Sequence, residues 1–235
     1  MNERRRTDWP QYMADRARST SHPALAAFHS TSWPDAGTPL KELQLVAMDI
    51  ETTGLDARRH AIVSIGLVPF TLERIYTDRA WYQLVRPYGD LLPESVTFHH
   101  ITHSDIRQAP RFAEIIGPLL ERLAGKVVVV HYRKIERPFL DEAVKHAIGE
   151  SLQFPVIDTM QIEADLHPQR DPGWFARMLG RQPLSIRLAD SRSRYRLPLY
   201  QAHHALTDAL ATAELFQAQV ATHFSPDAQV GDLWY

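Results

Sequence analysis

Asp49-Ile50-Glu51 closes a nearly all-apolar run that begins at Leu43. Side chains alternate along an extended strand, so Asp49 and Glu51 project from one face and place two carboxylates in a single small patch. Like charges so close are costly unless something neutralises them, and a divalent cation on oxygen ligands does so at a strand end. The spacing alone also suits two solvated strand-end carboxylates. The next residues, Thr52-Thr53-Gly54-Leu55-Asp56, weigh toward the cation, because Gly54 permits a tight turn and the Thr52 and Thr53 amides could face an anion beside it. A second cluster, His203-His204-Ala205-Leu206-Thr207-Asp208, opens a helical pattern. Asp208 falls in the first turn and His203 just before it, so an imidazole leans over the place the carboxylate enters, as a general base would. Helix capping by polar residues accounts better for this cluster in isolation.

The elements that must position these groups read as an α/β sheet of mixed direction. Leu43–Ile50, Ala61–Phe70 and Arg74–Arg86 are three strand candidates whose short connections predict antiparallel neighbours. Arg111–Leu123 carries Phe112, Ile115, Ile116, Leu119, Leu120 and Leu123 on one helical stripe and stops at Gly125. Lys126–Val130 and Phe154–Ile157 are short strands, each followed by a helix, Ile135–Ile148 with Pro138 in its first turn and Asp158–Leu166. The arginine-rich stretch 170–200 is broken by Pro172, Gly173, Gly180, Pro183 and Pro198, and the last helix spans His203 to about Thr222. The division expected is a partly helical extension at 1–40, a catalytic domain at 41–225 and a short tail at 226–235.

Composition narrows the chemistry. The 235 residues are 44% hydrophobic and 23% charged, which is an ordinary globular balance. No cysteine is present, so thiolate metal sites and a cysteine nucleophile are excluded, and any metal rests on carboxylates, imidazoles or backbone oxygens. No stretch approaches the roughly 20 apolar residues of a membrane span, so a cytoplasmic protein away from membranes is expected. A Gly-Lys-Ser/Thr phosphate loop is missing, which excludes the P-loop enzymes. The net charge of −2 gives no global sign of a nucleic-acid binder, but of the 26 basic side chains only Lys41, Lys126, Lys134 and Lys145 are lysines. Arginine is the better fork for phosphate oxygens, and Arg177 to Arg196 could track the backbone of a single strand; solvated surface charge is the plainer reading.

Taken together, MDIETTGLD, VVVVHYRKIERPFLDEA and HHALTDALATAEL, in this order between about Leu43 and Phe216, resemble the DEDDh exonucleases. These form the DnaQ-like group, which includes the proofreading epsilon subunit of bacterial DNA polymerase III, ribonuclease T and oligoribonuclease. The resemblance implies a ribonuclease H-like fold, a mixed five-stranded sheet flanked by helices, with two Mg²⁺ or Mn²⁺ ions. It implies Asp49, Glu51 and Asp208 as metal ligands. His203 rather than His204 matches the general base, because the family pattern is His, four residues, then Asp. Glu94 and His99 match the segment that in relatives touches the terminal nucleotide, and Asp158-Thr159 matches a structural strand-end pair; Thr52, Thr53 and Leu55 are further candidate substrate contacts, Leu55 able to stack on the last base or simply to pack. The chemistry implied is two-metal hydrolysis: one ion acidifies a water, His203 takes its proton, and a second ion about 3.5–4 Å away stabilises the departing 3′ oxygen.

One motif departs. Relatives usually read His-Asn-x-x-Phe-Asp where this chain has His131-Tyr-Arg-Lys-Ile-Glu136. An extra methylene moves the carboxylate by roughly 1.5 Å. Glu136 is then an accepted substitute for the fourth carboxylate, or Asp141 takes its role, or the site is crippled; the first is favoured, since Asp141 lies off the helix face that Glu136 presents. The function expected is 3′–5′ removal of nucleoside monophosphates from single-stranded DNA or RNA, DNA favoured. The alternatives are a proofreading subunit associated with a DNA polymerase, with 1–40 as a docking arm, and a non-catalytic nucleic-acid-binding module.

Overall fold

The computed structural model describes residues 7–88, 101–170 and 183–235. Strands β1 (Leu45–Thr52), β2 (Ile62–Phe70), β3 (Trp81–Leu84), β4 (Val127–Val130) and β5 (Val156–Asp158) form one sheet in the order β3-β2-β1-β4-β5. The β1–β2 and β2–β3 pairs are antiparallel, and the β1–β4 and β4–β5 pairs parallel. This is the mixed sheet expected. The central strands are buried almost throughout, which is why β1 and β4 read as continuous apolar runs rather than alternating ones.

Helices α1 (Trp9–Ser19) and α2 (Pro23–His29) precede the sheet; α3 (His103–Arg107) and α4 (Phe112–Leu123) join β3 to β4; α5 (Arg133–Ile148) joins β4 to β5. Then come α6 (Thr159–Leu166), α7 (Leu188–Arg194) and α8 (Ala205–His223). The six stripe residues of α4 are all buried. Trp9, Met13, Leu25 and Phe28 of the first two helices, and Val230 and Trp234 near the far end, share one core with the sheet strands. Beyond β5, the Tyr235 amide donates to the Val156 carbonyl at 2.9 Å, and Ile157 forms a bridge with Trp234. No helix among the described residues is long and apolar enough to cross a membrane.

Three local expectations change. Only Trp81–Leu84 of the 74–86 run is a strand, with Ile75 and Arg86 making isolated bridges. Helix α5 starts at Arg133 rather than Ile135, so Pro138 falls in its second turn. The cause is Asp158: its carboxylate accepts the Tyr132 and Arg133 amides at 3.1 Å each and the Arg133 Nη1 at 2.9 Å, pinning the helix start two residues early. Helix α7 arises inside the stretch that its prolines and glycines marked as broken.

Candidate active site

Asp49 and Glu51 lie on β1, and their cross-strand partners on β2 are Gly66 and Ser64. Paired residues share a face of the sheet, so whatever lies over Gly66 also lies over Asp49. A Cβ at Gly66 would stand 2.3 Å from the Ala205 carbonyl carbon and 2.5 Å from the Leu206 nitrogen. The absent side chain at Gly66 is therefore what lets the first turn of α8 press onto the sheet and deliver Asp208 over Asp49. Near Glu51 the β1–β2 register shifts, a bulge that re-aims side chains at the strand end.

The result is a cluster in which carboxylate oxygens of Asp49, Glu51 and Asp208 all lie within 4.8 Å of one another. Among the described residues no lysine or arginine pairs with them, and the charges that act to lower Asp208 are those of the nearby His203 and His204. Burial, then the charges of Glu51, Glu136 and Asp208, push the Asp49 carboxyl well above the usual range. Burial and the Asp208 charge push Glu51 up to about 7. Asp208 is raised by burial, partly offset by the His203 amide, which donates to its Oδ2 at 2.8 Å. Mutual repulsion of this kind is relieved by a hard divalent cation, and an all-carboxylate donor set suits Mg²⁺ or Mn²⁺.

Glu136 sits in the first turn of α5, 3% exposed, and its Oε2 has no hydrogen-bond partner. It lies outside the tight group of three but close enough to raise Asp49. Burial pushes its own carboxyl far up. An orphaned buried oxygen near enough to act on Asp49 fits a fourth ligand, direct or through water. Asp141 is spent elsewhere: it accepts from Ser151 Oγ at 2.6 Å and the Leu152 amide at 3.0 Å, and pairs with Lys145 at 2.7 Å.

His203 is exposed, at φ 69°, and lines a 420 Å³ cavity together with Asp49, Asp208, Arg187, Leu199 and Tyr200. The His204 ring instead stacks on Tyr82, 4.7 Å between centroids. Leu55 is 84% exposed at the tip of the β1 loop. Thr52 Oγ1 donates to the Gly54 carbonyl at 2.7 Å. Thr53 differs from expectation: its amide donates to the Ala61 carbonyl and its hydroxyl accepts from the Ala61 amide, so neither faces an anion. Both threonines shape the turn, and a Cβ at Gly54 would meet the His60 ring at 2.6 Å. Glu94, His99 and Arg177 lie outside the described residues.

Asp158 caps α6, accepting from the Met160 and Gln161 amides, and Thr159 donates to the Val130 carbonyl, both structural roles. The arginine-rich stretch divides. Arg192 and Arg194 are consumed by ion pairs with Glu214 and Glu163, while Arg187 and Arg196 are exposed. The sequence alone singled out neither Gly66 nor the buried pairing of Arg192, while Arg187 lies within the Arg177 to Arg196 stretch read as able to track a strand. A glycine inside an otherwise apolar strand was the signal available for the first.

An exonuclease family model, RNase_T, matches residues 46–216. The chain is 28% identical over 183 residues to the DNA polymerase III subunit epsilon of Treponema pallidum, covering 78% of this chain and 79% of that one. It is 30% identical over 182 residues to a DNA polymerase III subunit epsilon-like protein of Rhodobacter capsulatus, where the match spans 77% of this chain but only 24% of the longer relative. Its fold resembles the nuclease domain of 3′hExo, a DEDDh family member solved bound to rAMP, with a TM-score of 0.62 at 12% identity over 77% of this chain and 92% of that one. With its ribonuclease H-like sheet and its acidic cluster at the end of β1, the chain belongs to the DnaQ-like exonuclease family.

Proposed function

We propose that the protein is a metal-dependent 3′–5′ exonuclease that hydrolyses the last phosphodiester of a single strand, DNA ahead of RNA. The observation that carries this is the triplet of Asp49, Glu51 and Asp208 oxygens within 4.8 Å of one another. These three and Glu136 would hold the divalent ions. Bound there, the ions would supply neutralisation of the phosphate oxygens and acidification of a water. His203, on the same cavity wall as Asp49 and Asp208, accepts the proton of the attacking water. The water oxygen bonds to phosphorus, the bond to the 3′ oxygen breaks, and a nucleoside 5′-monophosphate leaves. Leu55 offers an exposed apolar face to the terminal base, and Arg187 offers a guanidinium to a phosphate. DNA is favoured by the likeness to the polymerase III epsilon subunit, which also supports association with a DNA polymerase.

The test is degradation of 3′- and 5′-labelled single-stranded DNA and RNA with Mg²⁺ or Mn²⁺ by wild type and by Asp49→Ala, Glu136→Ala and Asp141→Ala. Stepwise shortening from the 3′ end, abolished by the first two changes and retained with the third, supports the assignment. Strand binding without cutting under either metal overturns it in favour of a binding module.

A further inference from the structure

The chain from Tyr195 to His204 forms no helix or strand, passes through left-handed conformations at Arg196 and His203, and is exposed at residues 198–204. A surface segment of that kind wanders over its neighbours unless it is anchored, yet it carries the imidazole on which the proposed chemistry depends. The anchor is Arg192, 2% exposed on α7. A guanidinium buried so deeply is tolerated only when its N–H groups are used. Its Nη1 donates to the Ala211 carbonyl at 2.6 Å, and its Nη2 to the Pro198 carbonyl at 2.8 Å and to Glu214 Oε2 at 2.7 Å. The group also lies 4.7 Å from the Tyr200 ring centroid, and the Tyr200 hydroxyl donates to the second Glu214 oxygen at 2.9 Å. In return the Leu197 amide donates to the Arg192 carbonyl at 3.1 Å.

One planar fork thereby joins α7, the 197–200 segment and α8, the helix that carries Asp208. Arg192, Leu199 and Tyr200 line the same cavity as Asp49, His203 and Asp208. The partner arginine on α7 provides the contrast. Arg194 ties α7 to Glu163 of α6, and its other contacts are the Ser185 and Asp190 carbonyls and Ser191 Oγ, none of them in 197–203.

We propose that Arg192 and Glu214 are positioning residues, a clamp that holds the 197–203 segment against α8 and so sets the His203 imidazole over the carboxylate cluster. This rests on the exonuclease reading. Small displacements of a reacting group lower the chemical step far more than binding, by as much as about a hundredfold for about 1 Å. The experiment compares Glu214→Gln, Tyr200→Phe and Glu163→Gln with wild type by single-turnover cleavage of a labelled strand in Mn²⁺, alongside KM, melting temperature and hydrogen exchange of residues 197–203. Glu214→Gln is expected to slow cleavage by about 10- to 100-fold with KM within about threefold and faster exchange at 197–203. Tyr200→Phe, which keeps the ring and the ion pair, is expected to slow it by about threefold. Glu163→Gln should lower the melting temperature and leave the cleavage rate intact. Cleavage by Glu214→Gln within twofold of wild type, or a loss carried wholly by KM, overturns the clamp. Should Glu214→Gln fail to fold, an unchanged rate in Tyr200→Phe overturns it. A wild type that does not cut overturns the exonuclease reading instead, and the exchange comparison still reports whether the segment is tethered.

Discussion

Two regions of this molecule bury acids, and they treat them in opposite ways. Between α6, α7 and α8, Glu163 is fully buried and receives Arg194, the Tyr195 hydroxyl at 2.8 Å and Gln219 Nε2 at 2.8 Å. Burial alone would push its carboxyl up, but those donors outweigh burial and hold it below the usual range. At the end of β1, Asp49, Glu51 and Asp208 meet one another and the nearby Glu136, the His203 amide on Asp208 offsets only part of the shift, and all four are shifted up. The chain builds complete compensation where an acid serves structure. Where four carboxylates are left without a lysine or arginine among the described residues, the arrangement suits the divalent cation proposed above.

The sharpest break in the contrast is Asp49→Asn. Cleavage should fall at least about a thousandfold, the scale of losing an essential metal or catalytic group, while the metal-free protein melts at a higher temperature because a repelling charge is gone. A melting temperature that falls would show that Asp49 supports the fold instead. Next is Glu163→Ala, which strands Arg194 without its buried partner; loss of one member of such a pair costs about 3–5 kcal/mol, read by urea unfolding. A cost under about 1 kcal/mol would dissolve the distinction between the regions.

The pH dependence sharpens the same contrast. Folded-state values raised above ordinary ones favour the protonated acids, so their stabilisation is complete below about pH 4.5 and lost as pH rises through about 7, the Glu51 value. His131 runs the other way. Burial holds it at about 4, so its contribution is present above 6.5 and lost as pH falls toward 4. The two slopes oppose each other between about 4.5 and 6.5, so the clean observable is the metal increment. Mg²⁺ should raise the melting temperature strongly at pH 7.5 and little at pH 5, and an equal rise at both would argue against binding by these acids. The smallest effect expected is at the cavity wall, where Arg187→Ala should raise KM several-fold and reduce the salt slope of strand binding by about one.

Much of this was legible in the residues. The buried runs at β1 and β4, the stripe of α4 and the same-face pair Asp49/Glu51 follow from periodicity and need no tertiary knowledge. Helix α7 did not, because its seven residues carry no apolar stripe; its stability comes from Arg192 and Arg194 reaching acids on other elements. The early start of α5 depends on Asp158, which lies beyond the helix in sequence. The role of Gly66 depends on Ala205, far along the chain. Each missed feature is a polar or steric contact between distant segments, invisible to local pattern.

Tyr235 and Trp234 lie against β5, the last strand of the sheet order. An outermost strand with open N–H and C=O groups is a template on which another chain can add by backbone pairing. Here the Tyr235 amide takes the Val156 carbonyl and the Trp234 bridge occupies Ile157, so the two apolar residues of this three-residue strand are already paired on that edge. Residues 234 and 235 thus cover this edge of the sheet, a task separate from any chemistry at the far end of β1.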